Sequence, residues 1–147
     1  MELLNGFSLE GKNALITGAS YGIGFAIAKG FAEAGATIAF NDIKEELVEK
    51  GIKVYRECGI DAHGYVCDVT NEEQVIAFAA KVEQDVGVID ILVNNAGIIK
   101  RIPICEMTAS EFRQVIDVDL NAPFIVAKTF IPSMIKKGME RLSIFVA

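Results

Sequence analysis

Residues 14–34 read ALITGASYGIGFAIAKGFAEA, and the architecture of the whole chain can be inferred outward from them. The short apolar run at 14–16 is typical of a buried β-strand. A glycine-rich turn follows, and beyond it apolar residues recur at helical spacing until Gly35, where we expect the helix to end. A strand, a tight turn and a helix in this order predict the first βα unit of a parallel sheet.

The turn itself, TGASYGIG at 17–24, has a glycine spacing that suits a bound diphosphate. Gly18 permits a tight turn, Gly22 lets the backbone approach a ligand without an intervening Cβ, and Gly24 lets the helix pack closely on the strand. The first N–H groups of the helix are free and lie at the positive end of its dipole, so they attract phosphates. We therefore expect phosphate contacts from Gly18, Ser20, Tyr21, Gly22, Ile23 and Gly24. The alternative is a structural turn without a ligand.

The alternation of strand and helix continues along the chain. Apolar runs predict further strands at 37–40, 63–67 and 89–93. Segments with helical periodicity predict helices between them at 44–58 and 70–86. The connections are so short that the strands must cross over and pair in parallel. We expect an α/β fold, a Rossmann-like doubly wound parallel sheet, in which residues 1–138 form the dinucleotide-binding portion.

Two of the helices have a clear apolar face in the sequence. The helix at 44–58 places Leu47, Val54 and Cys58 on one side, and Gly51 in its middle should weaken it. The helix at 70–86 places its apolar stripe at Val75, Phe78, Val82 and Val86.

Helix ends are also marked in the sequence. Residues 70–73 and 108–111 each read as a capping box, in which a hydroxyl and a carboxylate satisfy each other's free backbone amides. The second box opens a helical stretch that runs towards Lys137. Pro123 and Pro132 should break or kink that stretch, because proline lacks the N–H that a helix interior requires.

Side chains that can bind a nucleotide follow the second and third predicted strands, at the edge where parallel strands end together. Asp42, followed by Ile43, can accept hydrogen bonds from both hydroxyls of an adenosine ribose and would repel a 2′-phosphate, which favours NAD over NADP. Lys44 weakens that preference, so NADP stays open. Asp68, followed by Val69, can meet an adenine amino group or instead cap the next helix.

Composition excludes several classes of function. The chain has 147 residues, is 52% hydrophobic and 23% charged, and carries a net charge of −6, so it can fold as one domain and should repel nucleic acid. Its apolar runs are far shorter than a membrane span, and its first residues do not resemble a signal peptide. Its three cysteines form no metal-binding or disulfide pattern. We expect free thiols, no metal site and a cytoplasmic location.

The segment Asn94-Asn95-Ala96-Gly97 ends the fourth predicted strand. Together with the glycine turn at 17–24, it resembles the short-chain dehydrogenase/reductase family. The resemblance implies that Asn95, Ala96 and Gly97 run beside a nicotinamide dinucleotide. It also implies a catalytic role for Asn121, which matches a helix asparagine whose backbone carbonyl holds a water in the family's proton relay.

Within that family, residues 64–70, 90–101 and 112–137 look like the gluconate 5-dehydrogenases, which interconvert D-gluconate and 5-keto-D-gluconate. The resemblance implies a sugar acid as substrate. Arg101 lies just beyond the Asn-Asn-Ala-Gly segment, where its guanidinium could hold the substrate carboxylate. The alternative is a surface arginine without a ligand.

The family's acid/base pair, a tyrosine with a lysine four residues later, has no counterpart here. Tyr21, Tyr55 and Tyr65 are the only tyrosines, and none is followed at that spacing by a lysine. We therefore expect the cofactor-binding portion of an NAD(P)-dependent oxidoreductase that binds NAD weakly and is inactive alone. The alternative is a non-catalytic nucleotide-binding or interaction module. A methyltransferase is disfavoured, because the Asn-Asn-Ala-Gly segment has no role there.

Residues 139–147, MERLSIFVA, depart from the family pattern. Gluconate 5-dehydrogenases resemble His-Gly-Lys-Ile-Ile-Asn-Ile-Cys-Ser at this place, and one encoding of that segment, read one base out of frame, gives the run found here. We expect a frameshifted tail that could still lie as a makeshift fifth strand. Because the covering elements of the family are absent, we also expect a homo-oligomer or an association-prone chain.

Overall fold

A computed structural model describes residues 6–138 and shows a parallel sheet flanked by helices. The strands are β1 (Asn13–Thr17), β2 (Thr37–Asp42), β3 (His63–Val66) and β4 (Ile91–Val93). The helices are α1 (Gly22–Glu33), α2 (Glu45–Glu57), α3 (Glu72–Asp85), α4 (Ala109–Ile116) and α5 (Ala122–Lys136), with a π-helical turn at Asp117–Asn121 between the last two. Among the described helices, none is long and apolar enough to cross a membrane.

The four strands lie in the order β3-β2-β1-β4, and every neighbouring pair is parallel. The register pairs Thr17 with Asn41 and Ile16 with Val93, so the carboxyl ends of β1, β2 and β4 meet at one edge of the sheet. This is the Rossmann-like parallel architecture that the strand–helix alternation predicted. The fold prediction is therefore confirmed.

The core divides into two layers because successive strand residues face opposite sides of the sheet. Leu15 and Leu92 pack with buried residues of α3 and α5 on one side. Ile16 and Phe40 pack with buried residues of α1 and α2 on the other. Helices therefore cover both sides, as the apolar strands require. The predicted stripe of α3 is confirmed, since Val75, Phe78 and Val82 are buried and Val86 packs against the same layer.

The prediction of the buried face of α2 is wrong, because the observed face is displaced by one residue along the chain. The structure buries Val48, Gly51 and Tyr55, whereas Cys58 is exposed. The reason is the glycine itself, since a Cβ at Gly51 would lie 3.0 Å from Cε2 of Phe40. Gly51 therefore does more than weaken the helix, because it lets α2 approach the sheet closely with this side.

One predicted capping box is confirmed and the other is wrong. Thr108 accepts the amide of Glu111 at 3.2 Å, and the Glu111 carboxylate accepts the amide of Thr108 at 2.9 Å. At α3 the capping residue is Asn71, whose side chain accepts the amide of Gln74 at 3.0 Å. Thr70 cannot fill that place, because its hydroxyl donates instead to the Asp68 carboxylate at 2.7 Å.

The stretch after Thr108 is interrupted at a different place from that predicted. A π-helical turn, Asp117–Asn121, precedes Pro123, which lies in the first turn of α5, where a missing N–H matters least. Pro132 lies inside α5, and the helix continues past it to Lys136. The predicted fifth strand and the frameshifted tail at 139–147 lie outside the described residues.

A partly exposed ion pair joins the end of α5 to the start of the sheet. The Asp90 carboxylate accepts the amide of Asn13 at 2.9 Å and the ammonium of Lys137 at 2.9 Å. Burial disfavours the charged carboxylate. The two hydrogen bonds and the positive charges of Lys137 and Lys12 outweigh it and hold the pKa of Asp90 below its ordinary value.

We expect Asp90→Asn to lower the free energy of unfolding at neutral pH by about 1–2 kcal/mol, because it removes a charged acceptor. A lowered folded-state pKa contributes stability above the unfolded pKa, and that stability is lost as the pH falls through the folded pKa. The difference from wild type should therefore vanish as the pH falls below about 4 in urea titrations. The control Glu33→Gln, in the exposed 3.8 Å pair with Lys29, should change stability little at any pH. An equal loss in both variants would contradict the prediction.

Candidate functional site

A cavity of about 360 Å³ opens at the carboxyl ends of the strands. Residues that follow all four strands line it, as expected for a parallel sheet of this topology. Of the residues predicted to bind a cofactor, those lining the cavity are Gly18, Tyr21, Gly22, Ile23, Asp42, Ile43, Asp68, Val69, Asn95, Ala96 and Gly97.

The glycine turn meets the requirements expected from its sequence. Gly18 and Gly22 have φ of +62° and +67°, values that residues with a Cβ rarely adopt. A Cβ at Gly18 would lie 2.9 Å from Cα of Ala96, whereas a Cβ at Gly22 would meet nothing within 4 Å. Within α1 no side chain caps the first turn and no acidic residue lies in it, and Gly22 and Ile23 of that turn line the cavity.

Ser20 and Gly24 belong to the same turn but do not line the cavity. Gly24 is buried, and a Cβ there would press on the Asn95 side chain and lie 2.8 Å from the carbonyl of Gly18. Ser20 is 6% exposed, and its hydroxyl has no hydrogen-bond partner among residues 6–138. Gly24 therefore contributes through packing, and the structure does not bring Ser20 to the cavity wall.

At the end of β2, Asp42 points a partly exposed carboxylate at the cavity. One of its oxygens accepts the amide of Ile43 at 2.9 Å, which holds the carboxylate in place and leaves the second oxygen available. Ile43 is 58% exposed and forms an apolar wall with Leu47. Leu47 was not predicted to line the cavity, because its position in the helical pattern favours the buried face of α2.

At the end of β3, Asp68 lies beside the cavity and does not cap the next helix, because the capping residue of α3 is Asn71. Asp68 and Val69 line the cavity, and the Asp68 carboxylate also accepts the amide of Thr70 at 2.9 Å. Cys67 lies in the same wall. Burial, reinforced by the charge of Asp68, raises the pKa of its thiol to about 11, so the thiol stays protonated at neutral pH and is a poor nucleophile.

At the end of β4, Asn95 ties the glycine turn to the neighbouring strand. Its side-chain nitrogen donates to the carbonyls of Thr17 and Gly18, both at 3.0 Å. The Thr17 hydroxyl accepts the amides of Asn95 and Ala96, both at 3.0 Å. This role of Thr17 was not predicted from the sequence. The only available signal was a hydroxyl directly before the first glycine of the turn.

The structure does not bring Asn121 or Arg101 to the cavity wall. The Asn121 side chain is exposed and donates to the carboxylate of Asp117 at 2.7 Å. From the same π-helical turn it is Val118 that lines the cavity, and Asp119 that accepts the amide of Ile98 at 2.9 Å. Arg101 is exposed on the loop beyond Ile98. The sequence pattern did not specify the π-helical turn that contains Asn121.

The residues present fit the adenosine diphosphate half of a nicotinamide dinucleotide. Free amides at the start of α1 can bind phosphate oxygens, and a Cβ-free Gly22 leaves room for them. The free oxygen of Asp42 can accept from a ribose hydroxyl, while Ile43 and Val69 offer apolar surfaces for a flat ring.

Comparison with known proteins agrees with a site for a nicotinamide dinucleotide, because the similar proteins are dehydrogenases. Residues 12–142 match the family described as short chain dehydrogenase. The 2-dehydro-3-deoxy-D-gluconate 5-dehydrogenase of Formosa agariphila is 46% identical over 132 residues, which are 89% of this chain and 50% of that protein. The chain thus spans about half the length of this curated relative.

Solved structures show the same likeness. The 2-keto-3-deoxy-D-gluconate dehydrogenase from Streptococcus agalactiae is 65% identical, with a TM-score of 0.87 over 99% of this chain and 55% of that one. A gluconate 5-dehydrogenase from Burkholderia cenocepacia J2315, in complex with NADP and tartrate, is 39% identical, with a TM-score of 0.87 over 97% of this chain and 56% of that one. The chain belongs to the short-chain dehydrogenase family, and it is similar to members that act on gluconate-type sugar acids.

Proposed function

We propose that the chain is the dinucleotide-binding portion of an NAD(P)-dependent oxidoreductase that interconverts a hydroxyl and a ketone on a gluconate-type sugar acid. The reaction we favour is D-gluconate to 5-keto-D-gluconate, by hydride transfer. The observation that carries the proposal is the cavity where the free amides of α1 and the carboxylate of Asp42 converge. The names of the similar proteins support the class of substrate.

NAD is the proposed cofactor, and its nicotinamide would supply the hydride acceptor. The chain's own residues bind and orient the other end of the dinucleotide. The amides around Gly22 and Ile23 hold the diphosphate, and Asp42 holds the ribose. NADP stays open as the alternative, because a similar gluconate 5-dehydrogenase was solved with NADP.

Arg101 and Asn121, which do not line the cavity, keep more limited proposed roles. Arg101 is exposed on the loop that leaves the cavity at Gly97 and Ile98, so its guanidinium can reach outward for a substrate carboxylate. For Asn121 the proposal concerns its backbone carbonyl alone, because its side chain is engaged by Asp117.

We propose that these 147 residues, by themselves, bind a dinucleotide but do not catalyse turnover of a substrate. Burial raises the pKa of Tyr55 and Tyr65 above the ordinary value, and the hydrogen bond and charge of Asp85 raise that of Tyr65 further. This favours the second candidate function, a non-catalytic binding or interaction module in the cytoplasm. Exposed apolar side chains on the face of α4 and α5, including Phe112 and Phe124, support self-association.

Titration with NAD by calorimetry, paired with an assay for NADH formation from D-gluconate, tests the proposal. We expect weak saturable binding and no NADH. Gly22→Asp should lower the affinity by at least about tenfold, because it sets a carboxylate beside the diphosphate.

The matched control is Gly59→Asp. Gly59 has φ of +77° and, like Gly22, meets nothing within 4 Å at its Cβ position, so both variants carry the same strain and charge. Binding that is absent in wild type, or equal in both variants, would overturn the proposed site. NADH formation would overturn the proposed inactivity of the chain by itself.

A further inference from the structure

Side chains from both neighbouring strands bind the backbone of the glycine turn at Thr17, Gly18 and Ala19. On the β4 side, Asn95 donates to the carbonyls of Thr17 and Gly18. On the β2 side, Asn41 and Tyr55 satisfy the remaining groups. The turn is therefore held from two directions.

Asn41 makes the central contacts on the β2 side. Its side-chain oxygen accepts the amide of Gly18 at 3.3 Å, and its backbone carbonyl accepts the amide of Ala19 at 3.3 Å. Its side-chain nitrogen donates to the carbonyl of Cys67 at 3.0 Å. Asn41 is 2% exposed, so loss of its side chain would remove a partner from the Gly18 amide and from the Cys67 carbonyl, whereas the backbone bond to Ala19 would remain.

Tyr55 completes the same support from α2. Its hydroxyl donates to the carbonyl of Ala19 at 2.8 Å, and its ring lies against Phe25 and Phe40 with centroids 4.8 and 4.9 Å away. Since Tyr55 is fully buried, the hydrogen bond is shielded from water. The backbone of Ala19 is thus hydrogen-bonded at both its nitrogen and its carbonyl oxygen.

We propose that Asn41 is a positioning residue for the cofactor, a proposal that rests on the proposed function. One amide side chain joins the phosphate-binding turn after β1 to the end of β3, where Asp68 and Val69 line the cavity. Its polar atoms are engaged by protein groups, so it acts through Gly18 and Cys67. By holding Gly18 in its left-handed conformation, it aims the free amides of α1 at the cavity before any ligand arrives.

The test compares Asn41→Leu, which removes both side-chain hydrogen bonds, with Asn41→Asp, which keeps an acceptor for Gly18. A matched control exists at the opposite edge of the sheet. There the Asn13 side chain also donates to backbone carbonyls, those of Val86 and Val88, at 3.2 and 3.0 Å. Asn13→Leu therefore removes similar contacts without touching the turn.

The first readout is amide hydrogen exchange at Gly18, measured relative to Leu15 in the middle of β1, which needs no cofactor. Asn41→Leu should lose protection at Gly18 by at least about tenfold, whereas Asn41→Asp and Asn13→Leu should retain it. Equal Gly18 protection in Asn41→Leu and Asn13→Leu would overturn the inference. If Asn41→Leu does not fold, the wild-type chain provides the test. Amide exchange at Gly18 as fast as at exposed Gly11 would then overturn the inference.

The second readout is NAD affinity by calorimetry. Asn41→Leu should bind at least about tenfold more weakly, while Asn13→Leu stays within about twofold of wild type. If wild type does not bind NAD, the proposed function is wrong, and so is the cofactor role of Asn41. The exchange data still show whether Asn41 holds the glycine turn in place. If Asn41→Leu loses protection at Gly18 but binds NAD as tightly as wild type, the positioning role is overturned and the proposed function is not.

Discussion

Gly24→Ala, the addition of one methyl group, is expected to lower the free energy of unfolding by about 2–4 kcal/mol and to weaken NAD binding at least about tenfold. The new Cβ would lie 2.8 Å from the carbonyl of Gly18 and 3.0 Å from Cα of Ala19, and would press on the Asn95 side chain. To relieve these contacts, α1 must move away from β1 or Asn95 must release the glycine turn. Either movement misdirects the amides that face the cavity. Thermal unfolding and calorimetric titration measure the two effects.

Gly30→Ala is the matched control on the same helix. Gly30 is exposed in α1, and a Cβ there would meet nothing within 4 Å. The same substitution should therefore stabilise the chain by about 0.5–1 kcal/mol, through the higher helix propensity of alanine, and leave NAD affinity unchanged. The prediction is thus a reversal of sign between two glycines of one helix. If Gly24→Ala also stabilised the chain, the close packing of α1 on β1 would be refuted.

Asp42→Ser is expected to have the largest effect on the choice of cofactor. In wild type the free carboxylate oxygen can accept from the ribose hydroxyls of NAD, and its charge repels the 2′-phosphate of NADP. The substitution removes both effects, so NAD should bind about tenfold to a hundredfold more weakly and NADP should bind more tightly. Parallel titrations with the two dinucleotides measure the change in their affinity ratio.

Asp61→Ser changes the net charge equally and serves as the control. Asp61 is exposed and is not among the residues that line the cavity, so the ratio of NAD to NADP affinity should stay as in wild type. A ratio that shifts equally in both variants would reduce the role of Asp42 to its contribution to net charge. A ratio unchanged in Asp42→Ser would show that this carboxylate does not face the 2′ position.

Much of the fold could be predicted because it depends on local patterns. The glycine turn at 17–24, the apolar strands and the capping box of Thr108 and Glu111 each involve residues that are neighbours in the chain. Failures occurred where a local pattern had a competing partner. The Thr70 hydroxyl donates to Asp68 instead of capping α3, and the stripe of α2 is displaced because Gly51 packs on Phe40.

The sequence by itself determined the order of the elements and the edge of the sheet where the candidate site lies. Hydrophobic periodicity and short connections allow only parallel pairing, and parallel strands end together. Only the tertiary structure decided which side chains complete that site. The contact of Asn41 with Gly18, of Thr17 with Asn95 and of Asp119 with Ile98 each joins residues far apart in sequence. Such contacts depend on how closely helices and strands pack, and a one-dimensional pattern carries no distance between distant segments.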